Sequence, residues 1–181
     1  LSANHGRPAR LVVPGWVGDD WMRYLADVEV RADEPTAFFY QTAYRFPVKP
    51  GAPGEAIPPD QMGPMTRVNV KSLLGSLSDG QVLPAGNHEL RGVAFSGEAG
   101  IERVDLSFDG GATWKAAQLE GPATPYGYRV FRYAWKAEPG RHRVACRATD
   151  STGATQPEQP VWNPSGYLYN AWDRVDVEVR S

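Results

Sequence analysis

The chain has little cysteine, little histidine and no long apolar run. One cysteine, Cys146, in 181 residues excludes an intrachain disulfide and any multi-cysteine zinc or iron–sulfur site. The three histidines, His5, His88 and His142, are scattered, with no His-x-x-x-His spacing, so no metal-ligand set can be read from the residues. Apolar runs of only a few residues exclude a bilayer-spanning helix. Acidic and basic residues nearly cancel, at net charge −2, and no basic block exists to follow a phosphate backbone, which argues against nucleic-acid binding. Neither a Gly-x-Ser-x-Gly nucleophile turn nor a phosphate-binding glycine loop occurs. No signal-peptide pattern opens the chain, and a start at Leu1 rather than Met implies a mature, cleaved or truncated product.

What is present is turn chemistry and alternation. Nineteen glycines and sixteen prolines favour many short strands over long helices. Val104, Leu106 and Phe108 alternate with Asp105 and Ser107, and Phe131, Tyr133 and Trp135 with Arg132 and Ala134. Val144, Cys146 and Ala148 repeat the pattern, as do Val175, Val177 and Val179. A period of two predicts strands with one buried and one wet face. Asp109-Gly110-Gly111 lies between two such runs and predicts a hairpin turn. Residues 66–181 therefore read as an immunoglobulin-like β-sandwich, mainly β, with Val104, Leu106, Trp114, Phe131, Val144, Cys146 and Val177 in its core. On this parity Cys146 is a packing residue rather than a nucleophile or metal ligand. The segment Ser107-x-Asp109-x-Gly111-x-Thr113-Trp114 fits a single Asp-box hairpin, with Asp109 accepting backbone N–H bonds and Trp114 plugging the fold.

Residues 1–65 have a different texture and read as an incomplete α+β segment. Leu11-Val12-Val13 and the pair Val28 and Val30 predict short strands. Asp19 to Leu25 predicts one or two helical turns capped by Asp19 or Asp20. Six prolines and three glycines between 47 and 64 predict a linker or extended crossover. So few apolar positions would not bury a core alone, which implies that residues 1–50 pack against something else. The run His5-Gly6-Arg7-Pro8-Ala9-Arg10 with the later Arg23 and Tyr44-Arg45 concentrates groups able to bind an anion bidentately.

In order, His5-Gly-x-Pro-x-Arg10-x-Val-Val-Pro-Gly15, Gln41-Thr-Ala-Tyr44, Val70-Lys71-Ser72, Val104-Asp-x-Ser-x-Asp109-Gly-Gly-x-Thr-Trp114, Trp162-Asn163, Gly166-Tyr-Leu and Asn170-Ala-Trp172-x-Arg174-Val175 cover nearly the whole chain. Together they resemble the C-terminal part of a sulfite oxidase-type molybdenum oxidoreductase. The resemblance implies that residues 1–65 end a molybdopterin-binding domain and that residues 66–181 form the family's dimerisation domain. It implies that His5 and Arg10 bind the pterin, that Arg23 does so where the family usually has lysine, and that Tyr44 is the catalytic tyrosine beside the metal, its phenol donating to a substrate oxygen. It implies oxygen-atom transfer to or from a small oxyanion or sulfur compound, molybdopterin held mostly by an upstream domain, a homodimer, a haem or cytochrome electron acceptor and, for a bacterial relative, a periplasmic location. The family's molybdenum-binding cysteine lies upstream, so Cys146 does not stand for it, this chain holds no metal ligand, and the chain alone is inactive. Sulfite-oxidising relatives carry arginine in Trp-Asn-x-Arg-Gly where this chain has Ser165, which leaves the substrate open. The competing reading is a stand-alone β-sandwich that binds carbohydrate or protein through exposed Trp or Tyr platforms, without catalysis; a third is an interaction domain that only dimerises.

Overall fold

The computed structural model describes all 181 residues. They fall into two compact units, residues 1–68 with 161–169, and residues 69–160 with 170–181. No helix is long and apolar enough to cross a membrane.

The second unit is a two-sheet sandwich. One sheet holds β3 (Lys71–Leu74), β5 (Gly86–Phe95), β9 (Tyr128–Ala137) and β8 (Gln118–Leu119), in the order β3-β5-β9-β8. The other runs β4-β11-β10-β6-β7, from β4 (Gln81–Pro84), β11 (Asp173–Arg180), β10 (Gly140–Asp150), β6 (Ile101–Ser107) and β7 (Lys115–Ala116). All pairings in the sandwich are antiparallel except β4 with β11. The longest ladder, from Gly86 opposite Ala137 to Phe95 opposite Tyr128, carries Phe131, which is wholly buried. Gly92 is required opposite it, because a Cβ there would stand 2.2 Å from both Leu73 O and Phe131 Cζ. Val104, Leu106, Phe131, Val144, Cys146 and Val177 all lie in the core, as the alternation predicts.

Trp114 does not. It lies half-buried on the outer face, its ring 4.7 Å from that of Trp172 and 4.1 Å from the Arg147 guanidinium. This stack helps explain a second departure. Asp105 and Ser107, expected on a wet face, are buried. Asp105 accepts from Arg103 Nε at 2.7 Å and lies 3.5 Å from Arg147 Nε. Ser107 Oγ and Thr113 both donate to Asp109, which closes the hairpin and holds the Asp109 carboxyl well below the ordinary range, Thr113 contributing most.

The sheets are tied through a buried amide. Gln156, 1% exposed, accepts at Oε1 from Ser72 N (2.8 Å), Ser72 Oγ (2.7 Å) and Ala148 N (3.2 Å) and donates from Nε2 to Ala171 O (2.7 Å). Ser72 belongs to one sheet and Ala148 to the other. Cys146 Sγ lies 3.2 Å from Ser72 Oγ, and burial pushes its thiol up to about 12.

The first unit contains β1 (Arg45–Pro47) paired with β2 (Met62–Pro64), one turn of α-helix, α1 (Phe38–Gln41), and 3-10 turns at Ala3–His5, Gly18–Asp20 and Pro59–Gln61. Three expectations are corrected. Leu11–Val13 and Val28–Val30 are not strands, and Val12, Val28 and Val30 are exposed, because no ladder extends beyond the single Arg10–Arg23 bridge beside Leu11. The helical signal after Asp19 yields only the 3-10 turn at Gly18–Asp20, with Val17 rather than an aspartate at its cap. The Pro/Gly-rich stretch is not simply a linker, since Met62–Pro64 closes a ladder with Arg45–Pro47. Val17, Pro47 and Met65 are the buried apolar side chains among the first 68 residues.

Two outcomes test the sandwich. Gln156→Leu leaves several buried partners unmatched at about 1–3 kcal/mol each. It should lower the free energy of urea unfolding by at least about 2 kcal/mol, and a change within about 0.5 kcal/mol would contradict the clamp. Cys146 should resist thiol alkylation in the native protein and react only on unfolding; rapid native labelling contradicts its burial.

Candidate functional site

The N-terminal motif residues come together through backbone pairing in the first unit. Arg10 and Arg23 form an isolated antiparallel bridge, flanked by Leu11 N donating to Met22 O (2.9 Å) and Leu25 N to Ala9 O (3.0 Å). Directly opposed residues of this kind project to one side, so two guanidiniums face one space. Like charges so placed repel, and they are stable together when an anion lies between them. The two line a concavity of about 320 Å³ with Gly18, Asp19, Trp21 and Met22. Arg10 Nε is buried there without a hydrogen-bond partner. That orphaned donor beside a second cation is a donor set suited to an anionic group such as a phosphate.

His5 lies beside this pair rather than in the concavity. It ends the first 3-10 turn, its Nδ1 2.5 Å from Ser2 Oγ. Arg23 Nη1 donates to the Asn4 carbonyl at 3.1 Å. Gly6 at φ +101° lets the turn approach Arg23, since a Cβ there would sit 3.1 Å from Arg23 Cα, Cβ and Cγ. Arg45, also a sequence candidate, is used internally. Its guanidinium donates to Met62 O from Nε (3.1 Å) and Nη2 (2.8 Å), to Glu34 Oε1 (2.8 Å) and to Tyr40 O.

Tyr44 stands apart, in a second concavity of about 490 Å³ that shares Asp19 and Met22 with the first. Its φ of +50° is uncommon for a bulky residue. Its carbonyl accepts from Met65 N at 3.1 Å, and its ring lies 5.8 Å from Phe39 and 5.7 Å from Tyr167. The aromatic run before it does not seat the segment by burial: Phe38 and Phe39 are 63% and 59% exposed. The turn bearing Ser165 is adjacent, because Asn163 Oδ1 and Nδ2 clamp Tyr167 N and O at 2.9 Å each and so present the Tyr167 ring to Tyr44.

Sequence reasoning missed Asp20 and Trp16. Both line the Tyr44 concavity, and Asp20 Oδ2 is buried without a partner. Burial, reinforced by the neighbouring negative charge of Asp19, holds the Asp20 carboxyl above the ordinary range. The only available signal was the doubled acid after Gly18, which reads equally well as a helix cap.

Residues 63–180 match the Mo-co oxidoreductase dimerisation domain, and residues 1–39 match the oxidoreductase molybdopterin binding domain. The chain is 32% identical to mitochondrial sulfite oxidase of Mus musculus over 99% of its own length and 34% of that protein. It is 34% identical to sulfite oxidase of Arabidopsis thaliana, covering 97% of this chain and 48% of the relative. It is 29% identical to the NADH nitrate reductase of Solanum lycopersicum, covering 99% of this chain and 22% of that one. The chain thus spans about a third of the animal relative's length. Among solved structures, the sulfane dehydrogenase SoxCD from Paracoccus pantotrophus superposes with a TM-score of 0.72 at 29% identity, over 87% of this chain and 39% of that one.

The raised Asp20 carboxyl predicts a pH-dependent gain on neutralisation. A carboxyl held above its unfolded value stabilises the fold only below the ordinary carboxylate range, and that contribution is lost as pH rises through the raised value. Asp20→Asn should therefore raise the unfolding midpoint at pH 7, with the gain vanishing near pH 3; a lower midpoint at pH 7 would contradict the burial of an unpaired charge.

Proposed function

The chain belongs to the Mo-co oxidoreductase dimerisation domain family, and on that premise we propose that it is part of a homodimeric sulfite oxidase-type molybdenum oxidoreductase. We divide it into residues 1–65, closing a molybdopterin-binding domain, and residues 66–181, which dimerise. The observation that carries the cofactor role is the Arg10–Arg23 pair with its unpartnered Arg10 Nε. In this reading the two guanidiniums bind the anionic end of molybdopterin, and His5, on the turn anchored to Arg23 through Asn4, binds beside them. When bound, molybdopterin supplies the metal at which oxygen-atom transfer occurs. Arg23 keeps the charge of the family's usual lysine while offering a planar fork of donors.

Tyr44 is the catalytic residue of this proposal. Its phenol donates a hydrogen bond to a substrate oxygen, and the left-handed backbone with the Met65 N contact holds it without help from a buried aromatic run. Cys146 takes no part: a thiol between two sheets and pushed up to about 12 is no thiolate ligand. The molybdenum-ligating cysteine therefore belongs to sequence outside this chain, and the chain alone is inactive. Electrons pass to a haem or cytochrome acceptor, and the location we infer is periplasmic, on the likeness to a bacterial sulfane dehydrogenase; mitochondrial relatives mark the competing compartment. The stand-alone binding module is not favoured, since both family matches are to molybdenum oxidoreductase domains.

In the complete enzyme, loss of one such hydrogen bond, about 1.5–3 kcal/mol, should make Tyr44→Phe about tenfold to a hundredfold slower in kcat/KM at unchanged molybdenum content. Unchanged kcat/KM would remove Tyr44 from the reaction. Arg10→Ala and His5→Ala should instead lower molybdopterin occupancy, measured by pterin release, whereas Arg23→Lys should retain it. Full occupancy in Arg10→Ala would refute the cofactor role of the pair.

A further inference from the structure

A phenol that donates to a substrate oxygen must point in one direction, and the backbone of Tyr44 does not fix that direction. Its left-handed φ of +50° and the bond from Met65 N to its carbonyl hold the residue at Cα. They leave χ1 open, and each staggered well sends the phenol oxygen elsewhere. Burial does not choose among the wells, since Tyr44 is 37% exposed. Two rings lie against it, Phe39 at 5.8 Å and 31° and Tyr167 at 5.7 Å and 33°. Phe39 rides on the exposed single turn Phe38–Gln41. Tyr167 is anchored. Residues 161–169 belong to the first unit although they lie between β10 and β11 in the chain. There the buried Asn163 holds Tyr167 at both backbone groups: Tyr167 N donates to Oδ1, and Nδ2 donates to Tyr167 O. Gly166, at φ +69°, turns the chain between them, its N–H donating to Asn163 O at 3.2 Å.

We infer that Tyr167 is the positioning residue of Tyr44, so that the turn 163–167 sets where the Tyr44 phenol points. The pair has the separation and tilt that aromatic rings favour, which stabilises it beyond the area it covers. A ring presented from a clamped backbone also excludes the χ1 wells in which Tyr44 would overlap it. The contact is ring against ring, so the role belongs to the Tyr167 ring and not to its hydroxyl. Tyr167 does not line the concavity that Tyr44 lines, and it acts on a reacting group only through Tyr44. Misplacing a reacting group slows a reaction even when the change lies outside the chemistry. As a statement about catalysis the inference rests on the reading that Tyr44 is the catalytic residue; as a statement about which side chain orients Tyr44 it stands on the geometry alone.

Two measurements test it. In the 181-residue chain with labelled tyrosines, NMR should show one χ1 state for Tyr44 and a ring-to-ring NOE to Tyr167. Tyr167→Ala should average the Tyr44 Hα–Hβ couplings, and Tyr167→Phe should leave them unchanged. Asn163→Ala should also average them, which keeps the test valid if Tyr167→Ala unfolds. In the complete enzyme, assayed with sulfite and separately with nitrate, Tyr167→Ala should lower kcat/KM about threefold to tenfold at unchanged pterin content, with Tyr167→Phe restoring it. Added to Tyr44→Phe, Tyr167→Ala should cost almost nothing more, because the phenol it orients is already gone. Unchanged Tyr44 couplings in both Tyr167→Ala and Asn163→Ala, a Tyr167→Phe enzyme as slow as Tyr167→Ala, or full additivity with Tyr44→Phe would each overturn the proposal. The NMR result needs no turnover and decides even where neither probe reacts. A Tyr44→Phe enzyme as fast as the unaltered one would sink the catalytic reading of Tyr44 alone, and a slow Tyr44→Phe beside a fast Tyr167→Ala would sink only this proposal.

Discussion

One buried amide joins the halves of the sandwich. Gln156 satisfies donors on β3 and β10 and the carbonyl of Ala171 ahead of β11, so both sheets and the return of the chain into β11 converge on a single side chain. A buried polar group of this kind fixes one arrangement of the sheets, because sliding either one leaves several bonds unmade at once. The apolar core around Phe131, Leu106 and Val144 supplies the driving force, but apolar contacts are non-directional and would tolerate other registers. Cys146 owes its inertness to the same arrangement, lying against Ser72 where the clamp meets the core.

The first unit is organised by the opposite means. With only Val17, Pro47 and Met65 as buried apolar side chains among its first 68 positions, it relies on backbone pairing and on side chains that bond to carbonyls. Arg45 ties Met62, Tyr40 and Glu34 together, and Trp21 Nε1 donates to Val13 O at 2.8 Å. Such bonds set direction well while contributing little net stability each. It is in keeping that Tyr44 is held through its backbone, by Met65 N, and not by burial.

The two concavities of this unit differ in sign though they share Asp19 and Met22. One is lined by the opposed Arg10 and Arg23, the other by aromatic rings together with Asp19 and Asp20. Asp19 lines both, and its negative charge adds to burial in raising the Asp20 carboxyl.

The sandwich was legible because period-two alternation is local: which residues of β6, β9, β10 and β11 face the core follows from the pleat once they are strands. The hairpin at Asp109 and the buried Cys146 follow in the same way, and the order of motifs carried the family resemblance. What the residues did not determine depends on partners distant in the chain. Trp114 left the core because Arg147 of β10 and Trp172, just ahead of β11, meet it on the outer face, and both are distant in the chain. Leu11–Val13 and Val28–Val30 had the composition of strands, but no ladder forms along either, so they stayed irregular. Asp20 could be read as a helix cap until tertiary contacts buried one of its oxygens without a partner. Local periodicity sets which face a side chain takes; only the folded chain decides what waits on that face.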